Sequence, residues 1–284
     1  MKIQLFVPYL LLLFTLRPFT VHQPDPVRYS GMLREDDVYR RIESIADIRN
    51  GDNLPVSASL KAFCPAPRDQ GALPMDVAFA LTTALSIRIA ALCQSLKGRP
   101  TVRVFSAAYI FNQIREGADC SKGAFLSRGL ELLKTQGVCL ESTFPTDNRD
   151  CSALPGLDAK KEAMRYRAAA YYRIFDADAS AEQKLLAVKN ALAAKAPVLV
   201  GMQVDASFQA LPAGDTHWAP SGTPSYGHAL VVVGYDDKTK TVELVNSYGA
   251  DWANGGFLTL DYATFASCLR YGIEVSADRL VRCD

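Results

Sequence analysis

Apolar residues follow two rhythms along this chain. In the first half they recur at three- and four-residue spacing. Between residues 76 and 93 they run nearly all the way round: Val77, Ala78, Phe79, Ala80, Leu81, Ala84, Leu85, Ile87, Ile89, Ala90 and Leu92. A helix of that character is buried on most faces, and Pro74 suits its first turn. Further helices are predicted over 106–115, over 125–136 (ending at Gly137) and over 180–194. In the last, Ser180 is the N-cap and Gln183 stands three residues on, the pairing of a capping box. Residues 33–49 are charged and place Val38, Ile42, Ile45 and Ile48 at helical spacing. They predict a short amphipathic helix, ended by Asn50-Gly51-Asp52-Asn53. After Pro197 the rhythm changes to Val- and Leu-rich runs separated by Gly, Asp and Asn. Strands are predicted over 198–204, 229–235, 241–245 and 256–260. Helices followed by strands give an α+β class, with two halves meeting at a cleft.

Composition narrows the picture. The 284 residues are 49% hydrophobic, enough for a sizeable core in one or two domains. The net charge is +1 with no basic stripe or acidic tail, so nucleic acid is a poor candidate partner. Met1-Lys2 precedes an apolar run over 5–16 that closes at Arg17-Pro18. That length fits the hydrophobic region of an export signal and is too short for a membrane span. No clean small-x-small cleavage site follows, so a removed leader and a retained anchor both stay open. The expected division is a signal peptide or anchor over 1–20, an extension over 21–53 that serves as leader or docking arm, and a domain over 54–284. The seven cysteines (64, 93, 120, 139, 151, 268 and 283) agree with an oxidising compartment. Their pairing cannot be read from spacing, and the odd count leaves at least one thiol unpaired or pairing between chains. Cys64 suits a disulfide. No CxxC pair supports a zinc site, and no cofactor is implied.

Three segments carry the chemistry. The first is Pro67-Arg68-Asp69-Gln70-Gly71-Ala72-Leu73-Pro74-Met75-Asp76-Val77. The second is Ser225-Tyr226-Gly227-His228-Ala229-Leu230-Val231. The third is Val245-Asn246-Ser247-Tyr248-Gly249 through Trp252 and Gly256. In this order and spacing the chain resembles the papain-like cysteine peptidases, bacterial type, from about residue 54 to 275. The resemblance implies a two-lobed α+β fold, with a helical lobe over about 54–175, an antiparallel β lobe over about 176–284 and a cleft between. It assigns His228 as general base, Asn246 as the group orienting its imidazole, and Gln70 as oxyanion donor. A nucleophile, a base in reach and a third group fixing the base's tautomer form the general arrangement. It also implies that extended substrate lies along Asp119-Cys120-Ser121-Lys122-Gly123, with Gly227 and Tyr248 nearby. Lys122 replaces a family glycine there, and Tyr248 stands where the family has Trp.

The departure falls at the nucleophile, because Asp76 occupies the position of the family's cysteine. A helix N-terminus stabilises an anion, so Asp76 with a protonated His228 would keep the family's ion pair without its thiolate. Asp76 could equally be an ordinary helix-start residue, and Gln70 could bridge loops. His217 and Trp218 read as loop packing. No other residue is convincing as a nucleophile. Asp76 and His228 lack the third ligand a catalytic zinc needs. The expected function is therefore an exported, catalytically inactive homologue that binds or scaffolds a protein or peptide, with membrane contact only through an uncleaved N-terminus. Two alternatives stand beside it: a hydrolase with altered chemistry on Asp76 and His228, and a residually active cysteine-type peptidase.

Overall fold

The structure, a computed structural model, describes residues 29–45, 53–277 and 283. The expected leader over 1–20 and the turn at 50–52 lie outside the described residues. The helical half is built round α2 (Asp76–Lys97), which ends as Gly98 turns left-handed at φ 71°. Its apolar stretch is 83% buried, which makes it a core helix rather than a span. Helices α3 (Ala107–Ile114) and α4 (Leu126–Thr135) pack on it. Gly129 of α4 allows that approach, since a Cβ there would lie 2.3 Å from Leu81 Cδ1. After α5 (Leu157–Ala163) and β2 (Ala168–Arg173) comes α6 (Ala181–Ala193). Its capping box forms as the sequence predicts, with Ser180 Oγ accepting from Gln183 N and Gln183 Oε1 from Ser180 N.

The other half is an antiparallel sheet in the order β2-β7-β3-β4-β5-β6. Its strands are β3 (Val198–Val204), β4 (Tyr226–Asp236), β5 (Thr241–Val245), β6 (Phe257–Asp261) and β7 (Leu269–Ala277), with β1 (Ser57–Ser59) pairing to β4. Short helices α7 (Ala206–Gln209) and α8 (Tyr262–Cys268) sit in its connections. Helix α2 lies against β4 and β7, so the start of α2 and the middle of β4 meet. Two strands cross the expected division near residue 175: β1 and β2 come from the helical half yet join the sheet. Neither β2 nor β7 stands out in sequence, because Ala-rich AAAYYR and the Arg, Gly and Glu of β7 break the Val/Leu pattern.

The largest difference lies at the N-terminal end of the described chain. Of the expected helix over 33–49, residues 46–49 lie outside the described residues, and within 33–45 only Asp36–Tyr39 (α1) is helical. Before it, Met32 pairs with Ala124, and after it, Ser44 pairs with Arg173. Backbone groups a helix would use are committed elsewhere, with Leu33 N on Ala124 O (3.1 Å) and Ile45 N on Arg173 O (3.0 Å). Tertiary hydrogen bonds override a weak local preference. This segment is a strap across both halves. Tyr39, outside the expected apolar stripe, is its plug: it is 2% exposed, and its hydroxyl donates to Phe175 O at 2.8 Å.

Two disulfides form, Cys93–Cys283 and Cys120–Cys151. Cys64, Cys139 and Cys268 are reduced. Cys64 therefore departs from the expectation of a disulfide, its Sγ lying 3.7 Å from Leu60 O at the end of a short 3-10 turn.

Tyr39→Ala is expected to lower stability by about 3–5 kcal/mol, and Tyr39→Phe by about 1 kcal/mol, in urea denaturation. Unchanged midpoints in both variants would mean that the strap is not docked.

Candidate functional site

Asp76 is the first helical residue of α2, and Met75 before it offers no side-chain cap. The free N–H groups and dipole of that helix end favour an anion. Asp76 is fully buried, and donors reach both of its oxygens. Oδ1 accepts from Gly31 N at 2.8 Å. Oδ2 accepts from Ala229 N at 2.9 Å and Met32 N at 3.2 Å, and faces His228 Nδ1 at 3.2 Å.

His228 lies on β4, paired across the ladder with Met202, and is also fully buried. Its Nε2 is 2.8 Å from Asn246 Oδ1, which Ser247 N also approaches at 2.8 Å. An amide oxygen only accepts, so Nε2 carries a proton. Nδ1, on the other side of the ring, faces the Asp76 carboxyl, so the imidazole is held between an amide oxygen and a carboxyl oxygen. Tyr248 lies over the imidazole with ring centroids 4.9 Å apart and its Oη 3.4 Å from Nδ1. Phe208 packs from another side at 5.5 Å. Trp218 stacks edge-on against Phe208 and donates to Ser207 Oγ at 2.9 Å, so packing accounts for it, while His217 is exposed beside Thr216.

Gln70 is buried, and its amide is fully committed. Oε1 accepts from Ser247 Oγ at 2.5 Å, and Nε2 donates to Leu73 O at 2.7 Å and to Tyr29 O at 2.8 Å. One of those bonds fixes its own loop. The other holds the strap.

The strap fills the cleft. Ala124 N donates to Gly31 O at 2.9 Å, and Met32 N also reaches Gly227 O at 3.2 Å. The Met32 side chain lies over Gly201 beside Tyr271. Contact is so close that only glycine fits at two positions. A Cβ on Gly123 would lie 1.6 Å from Gly31 O, and one on Gly31 would lie 2.3 Å from Pro74 O. Lys122 is exposed and leaves the contact to Gly123. Beyond Leu33, Glu35 accepts from Ser127 N at 2.8 Å, and Asp36 accepts from Tyr271 Oη at 2.7 Å and from Arg270 Nε at 2.7 Å. The Arg270 guanidinium beside Asp36 holds its carboxyl well below the usual carboxylate range. Burial pushes Glu35 up.

The structure therefore brings Gln70, Asp76, Gly227, His228, Asn246 and Tyr248 to one place, with Gly123 facing them across the strap. Sequence reasoning missed Tyr29, Gly31, Met32 and Ala124, because it read the extension as a leader or docking arm and not as a cover for the cleft. Five extended residues suffice, because only the centre is covered. The usable signal was Gly31, a lone glycine in an otherwise bulky, polar stretch. No reduced cysteine offers a thiolate: burial pushes the Cys64 and Cys139 thiols up to about 12 and raises that of Cys268. Among the described residues no cluster suited to a metal ion occurs.

The family model described as papain family cysteine protease matches residues 78–278, opening two residues after Asp76. An uncharacterized peptidase C1-like protein of Acanthamoeba polyphaga mimivirus is 27% identical over 160 residues, 54% of this chain. The match spans about half of that relative's own length, 51%. Among solved structures, xylellain, a cysteine protease from Xylella fastidiosa, aligns with TM-score 0.72 at 21% identity, covering 88% of this chain and 96% of that one. A procathepsin B from Trypanosoma congolense aligns at 0.66 and 18%, covering 88% and 86%. Likeness at these identities concerns the fold.

Two outcomes are expected. Asp76→Ala leaves the buried Gly31 and Ala229 N–H groups without the carboxylate and Met32 N with Gly227 O alone, and should cost about 3–5 kcal/mol, with faster hydrogen exchange at Gly31 and Met32. Exchange at those two amides as slow as in the wild type would refute the carboxylate anchor. Asp36 has a lowered pKa in the folded state, so its contribution is present above the ordinary carboxylate range and fades as pH falls through that range. Asp36→Asn should therefore unfold at lower urea than wild type at pH 7, with the gap narrowing towards about pH 2. A gap independent of pH would refute the charge pairing.

Proposed function

Since the chain belongs to the papain family of cysteine proteases, we propose that it has lost peptide cleavage and acts as an exported binding or scaffold protein. One observation carries the reading. Asp76, which the resemblance puts at the family's nucleophile position, is a fully buried carboxylate whose oxygens are engaged by the chain's own backbone. A carboxylate is a far weaker nucleophile towards an amide than a thiolate, and this one has no open side from which a substrate carbonyl could approach. The donor expected to stabilise an oxyanion, Gln70, is likewise occupied by Tyr29 O. Export is supported by the two disulfides and the N-terminal apolar run.

A second reading is an acid–base hydrolase on Asp76 and His228. Their 3.2 Å contact favours it, because paired acid and base groups are what such catalysis needs. Their complete burial beneath the strap weighs against it.

The test is cleavage of a fluorogenic peptide library by the wild type, Asp76→Cys, and Asp76→Cys combined with Gly31→Val. The added valine would collide with Pro74 and loosen the strap while leaving Gln70, His228 and Asn246 unsubstituted. The wild type should be inert, with most activity appearing only in the double variant. Wild-type turnover that survives thiol alkylation and disappears in Asp76→Ala would overturn the inactive reading in favour of the second.

A further inference from the structure

The net charge of +1 conceals an uneven surface. Residues 97–104 and 154–167 together hold seven basic and two acidic residues, leaving the rest of the chain at net −4. The structure brings these segments side by side. The Arg103 guanidinium lies over the Tyr166 ring at 5.4 Å, and Phe105 packs on the same ring at 5.2 Å. Residues 138–141 are shared between them: Val138 N binds Tyr166 O, Glu141 N binds Val104 O, and Leu140 N binds Glu162 Oε2.

Helix α5 gives this face its character. Ala159 and Ala163 point inward and are buried. The outward stripe is Leu157, Lys160, Lys161 and Met164, at the spacing of one helical face. Leu157 is 75% exposed and Met164 52%, and in the neighbouring segment Val102 is 41% exposed. Lys97, Arg99, Lys160 and Arg165 form no ion pair among the described residues, and Lys161 has only Asp158 at 4.0 Å. Glu162, the other acid, is turned to the Leu140 backbone.

We infer that this face docks on a membrane surface bearing anionic lipid headgroups. Cations alone would suit any polyanion. Large apolar side chains held in water between those cations suit an interface that has both charge and hydrocarbon. A soluble acidic polymer offers nothing to Leu157 or Met164. The apolar run over 5–16, expected as an export signal or anchor, would bring the chain to a membrane by a separate route. The face lies apart from the Asp76 cleft, so this inference stands or falls independently of whether the cleft cleaves peptides.

The experiment is co-flotation of the full chain with vesicles of phosphatidylcholine, with and without phosphatidylglycerol. The chain is compared with Lys160→Glu/Lys161→Glu/Arg165→Glu, with Leu157→Ser/Met164→Ser, and with Lys238→Glu/Lys240→Glu in the β4–β5 turn as control. Circular dichroism checks that each variant is folded. Any binding through the N-terminal run is common to all of them. Phosphatidylglycerol should strengthen wild-type binding, and the triple reversal should remove on the order of 100-fold of it. The apolar pair should lose several-fold, and the control none. Equal binding to both vesicle types, or a triple variant that binds like wild type, would overturn the inference. Retention on heparin without any vesicle preference would overturn it too, in favour of an acidic polysaccharide.

Discussion

A carboxylate removed from water must find donors for its oxygens inside the protein, or it destabilises the fold by several kcal/mol. Asp76 meets that requirement in an unusual way. One donor, Ala229 N, comes from the sheet, and the imidazole of His228 comes from the same strand. The other two are successive backbone amides of a segment more than forty residues upstream. The helix, the sheet and the strap therefore converge on one side chain. Gly31, Gly123 and the commitment of Gln70 follow from bringing a peptide that close.

Much of this was legible in the sequence, for identifiable reasons. Helix α2 is long and apolar on nearly every face, so its identity and burial followed from pattern alone. The capping box of α6 is a local device, and it formed where Ser180 and Gln183 predict it. Strands β3 and β5 matched their expected bounds because Val-rich runs end at clear turn residues. The convergence of Gln70, Asp76, His228 and Asn246 followed from three ordered motifs. The strap was not legible. Its conformation is set by hydrogen bonds to Ala124, Gly227 and Arg173, residues about 90 to 200 positions away. Its periodicity pointed to a helix that those bonds override. Tyr39 was missed for the same reason: its pocket belongs to Phe175, Tyr271 and Gly272.

The same groups that would serve catalysis here serve attachment. Gln70 still presents its amide, but to a carbonyl of the strap. Asn246 Oδ1 holds the imidazole at Nε2, and its Nδ1 faces the Asp76 carboxyl. Preorganised donors suited to a transient charge hold a permanent one equally well.

Covalent connection gives that fastening a further property. Only seven residues of sequence separate Ile45 of the strap from Asn53, so the strap is tethered to its own cleft. A segment tethered by so short a link has an effective concentration on the order of millimolar. Any external peptide that shares the strap's contacts competes against that local supply rather than against empty solvent. A ligand of ordinary affinity would be excluded by entropy alone, however well its side chains matched the walls. Selectivity at this cleft is thus a question of tether length as much as of complementarity.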